Sequence, residues 1–121
     1  MHRAIGPLFH GAIDYLMVIL LAIGPGVAGF HGKQQLFCYA LAAVHFLLTV
    51  VTRFPLGAVK VLAFPMHGAI ELLVGVLLVI LPWLANFSAG VNSRNFFVCI
   101  GALILIIWAM TDYRDLRGRA A

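Results

Sequence analysis

Along this chain, apolar and polar positions alternate on the scale of whole helices. Apolar runs cover 8–28, 36–52, 62–84 and 96–111, and shorter segments carrying charge, proline and glycine separate them. A membrane-spanning helix needs about 20 mainly apolar residues. The first and third runs meet that length, and the second and fourth are expected to recruit flanking residues. The pattern predicts an all-α, integral membrane four-helix bundle forming one domain over 1–121, with a tail at 112–121.

Part of this pattern is written twice. Residues 10–30 read HGAIDYLMVILLAIGPGVAGF and residues 67–87 read HGAIELLVGVLLVILPWLANF, identical at eleven of twenty-one positions, with Asp14 matched by Glu71. The likeness predicts two tandem helical hairpins, about 7–53 and about 64–111. Hairpins of two helices each share one orientation, so a pseudo-twofold axis is expected along the membrane normal. Arg3 followed by an apolar run also fits a cleaved signal peptide. The length of that run, and its near-copy at 67–87, argue for a retained helix.

Composition agrees with the pattern. The 121-residue chain is 64% apolar and 10% charged, against about 45–50% and about 25% in soluble domains. Its formal net charge of +4 does not point to nucleic acid, because the basic residues lie between and after apolar runs rather than in a stripe with aromatics. Topology accounts for them instead. With the N-terminus inside, Arg3, Arg53, Lys60, Arg114, Arg117 and Arg119 fall on the cytoplasmic side, and Lys33 and Arg94 fall outside. The positive-inside rule then puts both termini in the cytoplasm, with TDYRDLRGRAA a solvated positive-inside tail or, alternatively, a juxtamembrane helix end on anionic headgroups.

Helix ends also correspond. Pro7 and Pro65 stand in first turns, where the missing amide has no intrahelical partner to lose. Pro25 and Pro82 align at the outer ends. Trp83 at the outer interface, with Trp108 and Tyr113 near the inner one, reads as a set of interfacial anchors in the lipid bilayer.

The motif of His, three residues, Asp or Glu, an aliphatic stretch, Pro-Trp or Pro-Gly and a closing Phe resembles the SPW-repeat family of small bacterial integral membrane proteins. The matching residues are His10, Asp14, Pro25 and Phe30, then His67, Glu71, Pro82, Trp83 and Phe87; Gly24 and Leu81 precede the two prolines where the family name has Ser. The resemblance covers both hairpins. It implies the repeated-hairpin fold and a bacterial inner-membrane location, and it implies no particular activity.

Candidate chemistry lies in the repeated segment. Two of the four acidic residues, Asp14 and Glu71, sit inside apolar runs, where a carboxylate costs about 2.5–3.5 kcal/mol on insertion scales and normally faces a partner in the bundle. His10 and Asp14, like His67 and Glu71, are four residues apart and share a helix face. His45 is unduplicated. At 1.5 Å per residue it lies about 10 Å from the inner end of the second helix, and Asp14 lies about 9 Å from the same side. His10, Asp14, His45, His67 and Glu71 are therefore expected in one layer of the cytoplasmic half.

Several readings of that layer stay open. Imidazole and carboxylate suit Zn, Fe, Ni or Cu(II), and two facing histidines suit axial ligation of haem. Buried Asp, Glu and His also build proton or cation pathways, for which so small a bundle would act as a homo-oligomer. The layer can equally be interhelical hydrogen bonding in an accessory subunit of a larger membrane complex, worth about 0.6 kcal/mol per contact.

Other residues offer less chemistry. The only serines, Ser88 and Ser93, are placed in the outer loop, and no P-loop or Gly-x-Gly-x-x-Gly is present, so the chain does not read as a serine-class enzyme and no other enzymatic chemistry is specified. Cys38 and Cys99 both fall near outer ends of equivalent helices. A disulfide between them is geometrically conceivable, as are buried free thiols. His2 and His31 are expected in solvent.

Overall fold

A computed structural model describes residues 4–113; the termini, with Arg3, Arg114, Arg117, Arg119 and the rest of the basic tail, lie outside the described residues. Four helices follow in order: α1 (Pro7–Ala28), α2 (Lys33–Val50), α3 (Phe64–Leu84) and α4 (Val91–Met110). No strand is formed among the described residues beyond two isolated bridges. Three helices, α1, α3 and α4, are long and apolar enough to cross a membrane.

α2 and α4 begin earlier than the apolar runs suggest. α2 takes in Lys33, Gln34 and Gln35, and α4 takes in the polar stretch Val91 to Asn95. Here the polar residues occupy first turns, whose amides have no intrahelical acceptors and tolerate contact with water. Ser93 is buried within that turn, its hydroxyl donating to the Gly90 carbonyl at 3.2 Å.

The C-terminal ends of α1 and α3 terminate in the same way. Gly29 (φ 76°) and Asn86 (φ 66°) are both left-handed, the conformation a helix-ending αL cap requires and that Gly and Asn adopt most readily. The next residues fold back alike: the Phe30 amide donates to the Pro25 carbonyl at 3.0 Å, and the Phe87 amide to the Pro82 carbonyl at 2.7 Å. Each proline lies inside the closing turns of its helix, where its missing N–H leaves the carbonyl four residues earlier without a helical donor.

The opposite ends of the bundle match in turn. The Leu62 amide donates to the Val51 carbonyl at 2.8 Å and the Arg53 amide to the Leu62 carbonyl at 2.7 Å. In the other half, Ile5 donates to Met110 at 3.0 Å and Asp112 to Ile5 at 2.9 Å. Thus Thr52, two residues after α2, is bridged to the approach to α3, and Thr111, the residue after α4, to the approach to α1. Position 52 corresponds to 111, and counting back along the helices aligns His45 with Ile104.

Packing is tightest within α1–α2 and within α3–α4. A side chain at Gly101 would bring its Cβ to 2.9 Å from the Gly75 carbonyl oxygen, so glycine there lets the α3 and α4 backbones approach closely. Met17, Leu21, Cys38, Leu78, Phe97 and Ile104 fill the interior. The outward faces carry Leu16, Ile19, Ile23, Leu73, Ile80 and Ile106, all exposed. Large apolar side chains outside, with charged ones inside, invert the arrangement of water-soluble bundles and suit a lipid surface.

Candidate functional site

The five candidate ligands converge at the end of the bundle where α1 and α3 begin. α1 supplies His10 and Asp14, α2 supplies His45, and α3 supplies His67 and Glu71; none exposes more than 2% of its surface. The i, i+4 spacing aims His and carboxylate of one helix at the same point, and burial of apolar stripes on either side turns that point inward.

Contacts cross between hairpins as well as along helices. His67 Nε2 lies 2.9 Å from Asp14 Oδ2 and 3.2 Å from Glu71 Oε2. His10 Nε2 lies 3.1 Å from Asp14 Oδ2 and 3.1 Å from Glu71 Oε1. Donor atoms of these four residues all lie within 4.8 Å of one another. His45 approaches from the side, its Nε2 3.4 Å from Asp14 Oδ1 and 3.7 Å from Glu71 Oε2.

These contacts do not satisfy every atom. Asp14 Oδ2 is near two imidazole nitrogens but in no hydrogen-bonding geometry with either, and both ring nitrogens of His45 lack a hydrogen-bond partner. Buried polar atoms without partners are uncommon and costly, about 1–3 kcal/mol each. The orphan atoms Asp14 Oδ2 and His45 Nε2 belong to the same small volume as the four converging donors.

A surrounding shell holds the rings. The Nδ1 atoms of His10 and His67 lie 2.8 Å and 2.7 Å from the hydroxyls of Thr111 and Thr52. Phe64, Phe54 and Tyr113 pack against the two imidazoles, with His10 and Tyr113 ring centroids 5.6 Å apart and His67 and Phe54 centroids 5.7 Å apart. Gly68 makes room, since a Cβ there would lie 2.8 Å from the Tyr113 ring. The Tyr113 hydroxyl donates to Glu71 Oε1 at 3.3 Å. Burial, with the Glu71 and Asp14 carboxylates nearby, pushes this phenol above its ordinary range and keeps it a donor.

Tyr113, expected as an interfacial anchor, therefore reaches the cluster, and Trp83 is exposed on the bundle surface. Thr52, Thr111 and Phe54 were not singled out from sequence. The faint signal for the threonines was their position: each ends an apolar run. Cys38 and Cys99 are both free, Cys38 buried with its thiol donating to the Leu21 carbonyl at 3.1 Å and Cys99 exposed.

Together, fold and site define an all-helical protein with membrane-span-like helices and a buried His, Asp and Glu cluster capable of holding a metal ion. No protein family, curated protein or solved structure matches the chain.

Proposed function

We propose that the chain is a four-span membrane protein that binds one divalent transition-metal ion through His10, Asp14, His67 and Glu71, with His45 able to join them. The observation that carries this reading is the convergence of four buried donors beside orphaned atoms of Asp14 and His45. Metal–ligand bonds of about 2.0–2.1 Å in a tetrahedron put ligand atoms about 3.3 Å apart, close to the 2.9–3.2 Å nitrogen–oxygen spacings among these residues. Two carboxylates with two neutral imidazoles carry a charge of −2, which a divalent ion cancels, and buried charge persists only when compensated.

An ion suits this space better than haem. The His10 and His67 rings meet edge to face with centroids 5.5 Å apart, and carboxylates fill the gap between their Nε2 atoms. Two axial ligands need a porphyrin's width of clear space between and around them.

The reading extends to topology. α2 joins the spanning helices because it packs along α1 and turns Leu36, Val44, Phe46 and Leu47 outward. The matched bonds at both ends of the two halves support tandem hairpins about an axis along the membrane normal; the excess of Arg and Lys in the terminal and 53–60 segments supports termini in the cytoplasm, and the family resemblance supports a bacterial inner membrane. Membership of the SPW-repeat family rests on the repeated His and carboxylate motif.

The test is metal content. Chain extracted in mild detergent should carry close to one transition-metal ion per chain, lost in His67→Ala. Metal-free protein that also fails to take up Co²⁺ would sink the reading. One observation favours a purely structural cluster: six His–carboxylate contacts of 2.9–3.7 Å can pair the charges by themselves. Under that reading His67→Ala lowers stability and changes no metal content.

A further inference from the structure

Thr52 and Thr111 stand at corresponding places, one residue or two beyond the ends of α2 and α4, and each is completely buried. They share two contacts, beside which Thr111 also meets the Tyr113 side chain. The Thr52 hydroxyl oxygen lies 2.5 Å from the Leu48 carbonyl oxygen and 2.7 Å from His67 Nδ1. The Thr111 hydroxyl oxygen lies 2.6 Å from the Ile107 carbonyl oxygen and 2.8 Å from His10 Nδ1.

A hydroxyl has one hydrogen, and a carbonyl oxygen can only accept. Two oxygens this close must share that hydrogen, so it is spent on the helix carbonyl. The hydroxyl can then only accept from the imidazole, which requires the proton to sit on Nδ1. We infer that Thr52 and Thr111 are positioning residues that fix the tautomer and ring angle of His67 and His10, presenting both Nε2 atoms to a shared metal ion. The inference rests on the metal-site reading for its purpose, and on the threonine contacts alone for its geometry.

The pairing crosses between hairpins. Thr52 ends the first and orients a histidine of the second; Thr111 ends the second and orients a histidine of the first. Both are bridged through their backbones to the approach of the helix they serve, Thr52 to Leu62 and Thr111 to Ile5. The ring orientation is thereby tied to closure of the two hairpins on each other. Histidine ligands in metal proteins commonly give their second ring nitrogen to such a partner, and losing it costs about 10–100-fold in metal affinity.

The test uses the full chain with ¹⁵N-labelled histidine in lipid nanodiscs, read by NMR and by Co²⁺ titration. Proton-bearing Nδ1 signals for His10 and His67 are expected in the wild type. Thr52→Val, which keeps the shape, should release the His67 ring and weaken Co²⁺ binding about 10–100-fold, and Thr52→Ser should restore both. Thr111→Val should act likewise through His10. An unprotonated Nδ1 in the wild type, or valine variants with unaltered ring signals, overturns the inference. Intact Nδ1–H signals in a wild type that binds no Co²⁺ uphold the ring geometry and overturn the metal reading instead.

Discussion

His67 Nε2 lies 2.9 Å from Asp14 Oδ2, and this shortest imidazole–carboxylate contact of the cluster joins the two hairpins rather than closing within one helix. His10 returns the exchange by reaching Glu71 Oε1 at 3.1 Å. Each carboxylate is thus held by its own helix and by the other repeated segment. The cluster is a clasp between halves whose tightest packing is otherwise internal.

Asp14→Ala should therefore loosen the whole bundle. Removing one partner of a buried pair leaves the other charge uncompensated and costs about 3–5 kcal/mol. Thermal unfolding in detergent is expected to show a large fall in midpoint. An unchanged midpoint would mean that the hairpins hold together without the clasp.

His45→Ile should separate binding from folding. The corresponding residue of α4 is Ile104, buried and well packed, and the ring nitrogens of His45 form no hydrogen bond, only the longest imidazole–carboxylate contacts of the cluster, 3.4 and 3.7 Å. Replacing a buried polar side chain by an apolar one of related shape can be neutral or stabilising. The variant is expected to melt at or above the wild-type temperature while Co²⁺ affinity falls, measured by titration of the visible absorption band. A variant that unfolds more easily would assign His45 a structural task.

Tyr113→Phe removes one hydroxyl and leaves the ring against His10 and Phe64. It makes this half resemble the other, where Phe54 occupies the corresponding place beside His67. Loss of the hydrogen bond to Glu71 should cost about 1–3 kcal/mol, since the acceptor is buried. Chemical denaturation in mixed micelles checks the magnitude.

Gly101→Ala probes the helix contact instead of the cluster. The added methyl would meet the Gly75 carbonyl at 2.9 Å and Leu78 at 2.9 Å, and backbone cannot move aside as a side chain can. Overpacking of this kind costs about 1–3 kcal/mol. Stability should fall while the metal-to-protein ratio stays at its wild-type value.

Much of this arrangement is legible in the residues themselves. The doubled HGAI segment announces two equivalent helices, and helical rise alone puts His45 level with Asp14. Periodicity reports which residues share a helix face, so the five inward groups could be named. It does not report which helix face meets which, and the exchange of partners between His10 and Glu71 was hidden for that reason. Thr52, Thr111, Phe54 and Tyr113 lie past helix ends, where no period applies. Their approach to the histidines depends on the chain folding back from 51 to 62 and on Ile5 bridging to the end of α4. That α2 and α4 outrun their apolar stretches was legible from the shortness of those stretches, but not how far, because a polar first turn carries no hydrophobic signal.

X-ray absorption at the edge of the bound metal tests the central claim most directly, using chain loaded with one equivalent of Co²⁺ or Zn²⁺ in nanodiscs. The account predicts a first shell of nitrogen and oxygen alone at about 2.0–2.2 Å, with outer-shell scattering from two or three imidazole rings, and loss of that scattering in His10→Ala combined with His67→Ala. A shell of water oxygen without imidazole scattering, a sulfur shell from Cys38 or Cys99, or a double variant with an unaltered spectrum would contradict it.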